Sequence, residues 1–169
     1  MRFIPNRFLA LVIIPTALLA AAASCKKSSS NSNNSTGLSA SVNDTAWTNS
    51  FPLTATYSVG AYTFTIRGEQ LKNSDTTGLG LVILSPVTLN QAISSASGMI
   101  DVEYARSLNI YDGGGNGLNA GHSTLTVTSY NSTGETIAGT FSGVLYNISG
   151  GSDSIVVTNG SFNTSYTSQ

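Results

Sequence analysis
The stretch ETIAGTFSGVLY, from Glu135 to Tyr146, and its follower SIVVTNGSFNTSY, from Ser154 to Tyr166, decide the fold class. In the first, Ile137, Gly139, Phe141, Gly143 and Leu145 fall on one face and residues such as Thr140 on the other. This period-2 alternation marks a half-buried strand. Gly139 and Gly143 flank Phe141 on that face, which predicts that a large side chain from a neighbouring element lies over them. Residues Ile148 to Asp153 read as a loop, after which Ser154 to Thr158 pair back. Asn159-Gly160 offers the positive φ angles that a two-residue type I′ turn needs. A tight hairpin is predicted there, with Ser161 to Tyr166 as the last strand.

Working outward, the same signals recur. Leu38, Ala40 and Val42 alternate, Asn43-Asp44 turns, and Ala46-Trp47 resumes. Leu53 to Ser58 forms a run, and after Val59-Gly60 comes AYTFTIRG, with Tyr62, Phe64 and Ile66 sharing a face. Asn73 to Gly78 reads as a loop. Leu79 to Leu84 is apolar enough for burial on both faces, and Pro86 ends it. Leu89 to Gly98 fits a short helical turn or a poor strand. Met99 to Leu108 alternates again, Asp112 to Gly121 is a glycine-rich loop, and Ser123 to Tyr130 turns Leu125 and Val127 inward. Asn131 to Gly134 is a turn. About nine strands with turns every 8–12 residues predict an all-β domain, an antiparallel β-sandwich or barrel. The spacing leaves those two open.

Ahead of this domain stands FLALVIIPTALLAAAASC, Phe8 to Cys25. Arg2 and Arg7 precede it, the run from Phe8 to Ala23 is uncharged, and small residues close it, the layout of a cleaved secretory leader. Spanning a bilayer takes roughly 20 apolar residues, and Pro15 interrupts this shorter run. Cys25 is the only cysteine, so an intramolecular disulfide is excluded. LAAAASC, Leu19 to Cys25, resembles a bacterial lipobox, with Ala22 where that motif usually carries Leu. The resemblance implies that Cys25 is lipidated, with palmitate among its acyl chains, and becomes the mature N-terminus. Each buried acyl CH₂ contributes about 0.8 kcal/mol, so several chains make a stable anchor. Lys26 in place of Asp implies sorting to the outer membrane. KKSSSNSNNSTG, Lys26 to Gly37, has no large apolar residue and reads as a flexible tether. The expected organisation is a signal peptide over 1–24, a lipidated tether over 25–37 and the β-domain over 38–169.

LSASVNDTAW, at Leu38 to Trp47, and the late IAGTFSGVLYN and SIVVTNGSFN resemble small secreted lipoproteins of the Bacteroidota, in a family of unknown function. Asp44 departs from the Gly that the family often carries. The resemblance covers most of the domain and implies an address and no chemistry.

Beyond Leu38 three basic residues, Arg67, Lys72 and Arg106, stand against eight acidic ones, a net charge of −5. Nucleic acid demands basic clusters, so it is not an expected partner. His122 is the only histidine, no G-x-S-x-G elbow occurs, and a Ser-His-Asp triad has no support. One His and an acylated Cys cannot supply a zinc site. Asp101 and Glu103 share a strand face about 6.5–7 Å apart, a spacing that glycoside hydrolysis can use, although a solvated acidic face accounts for them. Arg106 falls on the opposite face. Asp112, Asn116 and Asn119 lack the bidentate Glu of a calcium loop. No metal, cofactor or catalytic residue is expected. Trp47 reads as core or rim packing before a sugar-stacking platform. Asp44-Thr45-Ala46, Asp75-Thr76-Thr77 and Asp153-Ser154-Ile155 resemble the short O-glycosylation site of Bacteroidota, which implies Thr45, Thr76 and Ser154 as acceptors.

The expectation is a lipid-anchored cell-envelope protein whose β-domain binds or supports something, a glycan or an envelope protein, without catalysis. The alternatives are a carrier of a small apolar ligand in a closed barrel and a glycan-directed hydrolase.

Overall fold
The computed structural model describes residues 36–114, 121–148 and 152–169. The signal peptide, Cys25 and most of the tether lie outside the described residues, as do Asn116 and Asn119. The domain is all-β. Its strands are β1 (Gly37–Val42), β2 (Thr45–Thr48), β3 (Thr54–Ser58), β4 (Thr63–Lys72), β5 (Asp75–Leu84), β6 (Ala92–Ser94), β7 (Ile100–Arg106), β8 (Asn109–Asp112), β9 (His122–Asn131), β10 (Thr136–Asn147), β11 (Ser154–Ser165) and β12 (Thr167–Ser168), with one 3-10 turn at Ser95–Ser97.

All twelve strands join one open sheet, in the order β12-β3-β4-β5-β7-β8-β10-β11-β1-β2, with β9 bonded to β10 and to β6. The closed barrel is therefore corrected, and so are the two-sheet sandwich and the count of nine. The sheet is also mixed, because β12 runs parallel to β3. The extra strands include β6, β8 and β12, of 3, 4 and 2 residues, too short for alternation to show.

Short turns follow from local chemistry. Asn43-Asp44 joins β1 to β2 and Asn73-Ser74 joins β4 to β5, all four residues holding φ between 45° and 67°. Two consecutive positive φ angles match the right-handed twist of the flanking strands. The loop expected over Asn73 to Gly78 thus shrinks to two residues, and Asp75 onward pairs with β4.

The hairpin expected at Asn159-Gly160 is corrected too. β11 runs straight through it, and the turn is at the residues before Ser154. Asn159 takes φ 51° as the extra residue of a β-bulge, with the register slipping against both β1 and β10. The slip changes the phase of burial: Ile155 and Val157 point inward before it, Gly160, Phe162 and Thr164 after it. A further slip lies between β9 and β10. Bulges bend strands and increase their twist, which lets one sheet curl around one core.

That core is a single cluster built from the inward faces of most strands, including Leu38, Phe64, Ile66, Leu81, Val102, Val127 and Leu145. Burying each such side chain stabilises by about 1.5–3 kcal/mol. Leu79 to Leu84 is one-sided after all: Leu79, Leu81 and Ile83 are buried, whereas Val82 and Leu84 are partly exposed. Phe162 lies over Gly139 and Phe141 over Gly160, in adjacent cross-strand pairs, which meets the expectation of a large side chain over Gly139. Gly143 instead packs against Ser123 and the His122 backbone. At one end Phe64 meets Tyr57, Tyr130 and Tyr166 at ring-centroid distances of 4.4, 5.7 and 5.1 Å, drawing β3, β4, β9 and the C-terminal segment together.

Candidate functional site
The connections β1–β2, β4–β5 and β7–β8 and the start of β11 gather at one end of the sheet. Gly37, where the chain enters β1, pairs with Asn163 at the far end of β11, whereas Val42 pairs with Val157 near its start. Six residues of strand place these ends about 17–20 Å apart. At the Val42 end the strands enclose a cleft of about 460 Å³.

Its apolar wall comes from strand alternation. Trp47, Tyr104 and Tyr111 are inward residues of β2, β7 and β8, near strand ends where the curled sheet gapes. Trp47 Nε1–H donates to Thr77 Oγ1 at 2.9 Å, fixing the indole. Tyr104 and Tyr111 stand 6.2 Å apart between ring centroids. Tyr111 Oη–H donates to Asp153 Oδ2 at 2.7 Å. That bond holds the Asp153 carboxyl below its ordinary range and, with burial second, raises the Tyr111 hydroxyl above its own. Around the rim stand Gln70, Lys72, Asn73, Asp75 and Arg106. Arg106 Nη2 meets Asp75 Oδ2 at 3.3 Å, with both side chains more than half exposed, so the pair adds little stability and chiefly cancels charge.

Thr45, Thr76 and Ser154 are all exposed, and all belong to this end. Two of the three acceptor-like hydroxyls, Thr45 and Ser154, line the cleft, and Thr76, between its lining residues Asp75 and Thr77, lies at the same end outside its lining.

The paired acids are arranged differently from expectation. Asp101 and Glu103 do project from one face of β7, but Asp101 lies beside Asp112 of β8, with its Oδ1 buried and without a hydrogen-bond partner. Glu103 pairs in register with Asp112, and the Gly114 N–H also donates to Asp112 Oδ1. Burial first, then the neighbouring Asp112 carboxyl and the charge of Glu103, push Asp101 up to about 7. Burial and the neighbouring negative charges thus favour the protonated form of Asp101. A smaller hollow of about 220 Å³, lined by Val82, Leu84, Ser95 and Met99, adjoins the pair. His122 is exposed at the start of β9, opposite Val144, and lines neither hollow. Among the described residues no group of three or more His, Cys, Asp or Glu is placed to hold a metal ion, and no helix is long and apolar enough to cross a membrane.

Sequence reasoning missed the cleft. Tyr104 was legible as an inward residue, but alternation cannot tell an inward residue packed in the core from one at a gaping strand end. Tyr111, Asp112 and Asp153 were hidden because β8 has only 4 residues and its neighbours read as loop. No family model, curated protein or solved structure matches the chain.

Proposed function
We propose that this chain is a lipid-anchored cell-envelope protein of the outer membrane, attached through Cys25, whose β-domain is a non-catalytic binding module. The similarity of its motifs to the Bacteroidota lipoproteins supports the address. The observation that carries the binding role is the cleft, which is floored by aromatic side chains, rimmed by polar ones, and remote from the residue where the chain enters the domain. A tether attached at Gly37 leaves such a cleft facing away from an anchoring surface. Polar groups converging on an apolar concavity are the usual form of a ligand site. The apolar-carrier reading loses its architecture with the barrel, because the sheet stays open and its interior is filled by packed side chains.

Two measurements test the proposal. Cys25→Ser should abolish acyl labelling and release the protein from membranes; a variant that still labels and pellets would refute the anchor. Thr45→Phe, at an exposed cleft residue on the same strand face as Trp47, should weaken binding of any ligand taken there. A ligand bound equally well by this variant would remove the cleft from the account.

A further inference from the structure
We propose that the cleft takes a neutral saccharide, an inference that rests on reading the cleft as the binding site. The charges decide the class. Two cations, Lys72 and Arg106, and two carboxylates, Asp75 and Asp153, line it, so the lining carries no net charge. Of these, Arg106 and Asp75 neutralise each other at 3.3 Å, and Asp153 accepts the Tyr111 hydroxyl. An anionic ligand would meet two carboxylates without a cationic cluster, and a cationic one would find both carboxylates engaged. An apolar ligand would bury the polar rim against nothing, at a cost for each unpaired group.

A sugar answers both halves of the lining. Its hydroxyls donate to and accept from side chains that do both, and its C–H groups meet the ring edges that Tyr104 and Tyr111, 8% and 9% exposed, present beside the buried indole of Trp47. Gln70 and Asn73 carry amides at the rim, Thr45 and Ser154 carry hydroxyls, and Lys72 adds donors. The volume of about 460 Å³ lies in the range of small-molecule sites and suits a short segment of a glycan entering from the open end.

The test is calorimetric titration of the detergent-solubilised mature protein. The probes are neutral gluco-, manno- and xylo-hexaoses in α and β linkages, with oligogalacturonate and a fatty acid as the charged and apolar comparisons. A neutral hexaose should bind, with affinity unchanged within about twofold between 50 and 500 mM salt, because no net charge is screened. Thr45→Phe should weaken it at least tenfold, and Lys72→Ala, at an exposed side chain, several-fold, both with unchanged melting temperature. Binding of oligogalacturonate or fatty acid in its place, blocked by Thr45→Phe, would overturn the saccharide class and leave the cleft as the site. Absence of binding by every probe would overturn the saccharide proposal, as would a hexaose that binds wild type and Thr45→Phe alike; only the latter also counts against the cleft.

Discussion

Phe141 and Gly160 face each other across β10 and β11, and their contact can be weighed by a double-mutant cycle. Phe141 is almost fully buried, so Phe141→Ala should cost about 3–5 kcal/mol. A Cβ added to Gly160 would fall 2.5 Å from the Phe141 carbonyl oxygen and 2.6 Å from two ring carbons. Gly160→Ala should therefore cost about 1–3 kcal/mol through overpacking. Removing the ring relieves part of that clash and leaves the carbonyl, so the double variant should cost less than the two singles together, by at least about 0.5 kcal/mol. Thr140, next in sequence, points to the exposed face, and Thr140→Ala should cost under about 1 kcal/mol. Urea unfolding with a common m-value gives all four numbers. Strict additivity would refute the aromatic-over-glycine packing, and equal costs at 140 and 141 would refute the assignment of faces.

Asp101 has a folded-state pKa near 7 against about 3.9 unfolded. The folded state therefore binds more protons between these values, and stability falls as pH rises through that window. Thermal melts of the wild type should be higher at pH 5 than at pH 8, and Asp101→Asn should flatten the difference; an unchanged slope would remove the raised pKa of Asp101. Tyr166 is buried among Tyr57, Phe64 and Tyr130, so Tyr166→Ala should cost about 3–5 kcal/mol in urea unfolding, and a cost under 1 kcal/mol would show that the C-terminal segment does not close the core. Asn159→Val should destabilise by about 1–3 kcal/mol, since a β-branched residue resists the positive φ of the bulge; a neutral result would argue for a different backbone there. Millimolar calcium should leave the melting temperature unchanged, because Asp112 Oδ1 accepts the Gly114 N–H and no group of three or more possible ligands is placed to hold a metal ion among the described residues; a rise of several degrees removed by Asp112→Ala would overturn that.

The fold class was legible because one-sided burial writes itself as alternation: β1, β4, β7, β9 and β10 all follow it. Topology was less legible, and Asn159-Gly160 shows why. Positive φ at Asn serves a two-residue turn and a bulge equally, and only the phase change from Ile155 and Val157 to Phe162 separates them. A chain reversing at Asn159 would pair Thr158 with Ser161, whereas here Thr158 pairs with Ser41 and Ser161 with Ser39 and Thr140. The closed edge of a barrel has no local signature at all, since closure depends on whether β2 and β12 meet. The cleft shares that difficulty: its residues come from seven strands and the turns beside them, and the Tyr111–Asp153 bond spans 42 positions.

The most direct test of the binding role uses a property of the sequence itself. Trp47 is the only tryptophan, and it forms part of the cleft wall with its Nε1–H held by Thr77. Its emission therefore reports the part of the core that backs the cleft. Titration of the solubilised mature protein with the neutral hexaoses should give a saturable change in Trp47 fluorescence, with a midpoint that moves at least tenfold in Thr45→Phe. Emission that stays fixed while calorimetry records saturable binding would place the ligand elsewhere on the domain and contradict the cleft as the binding site.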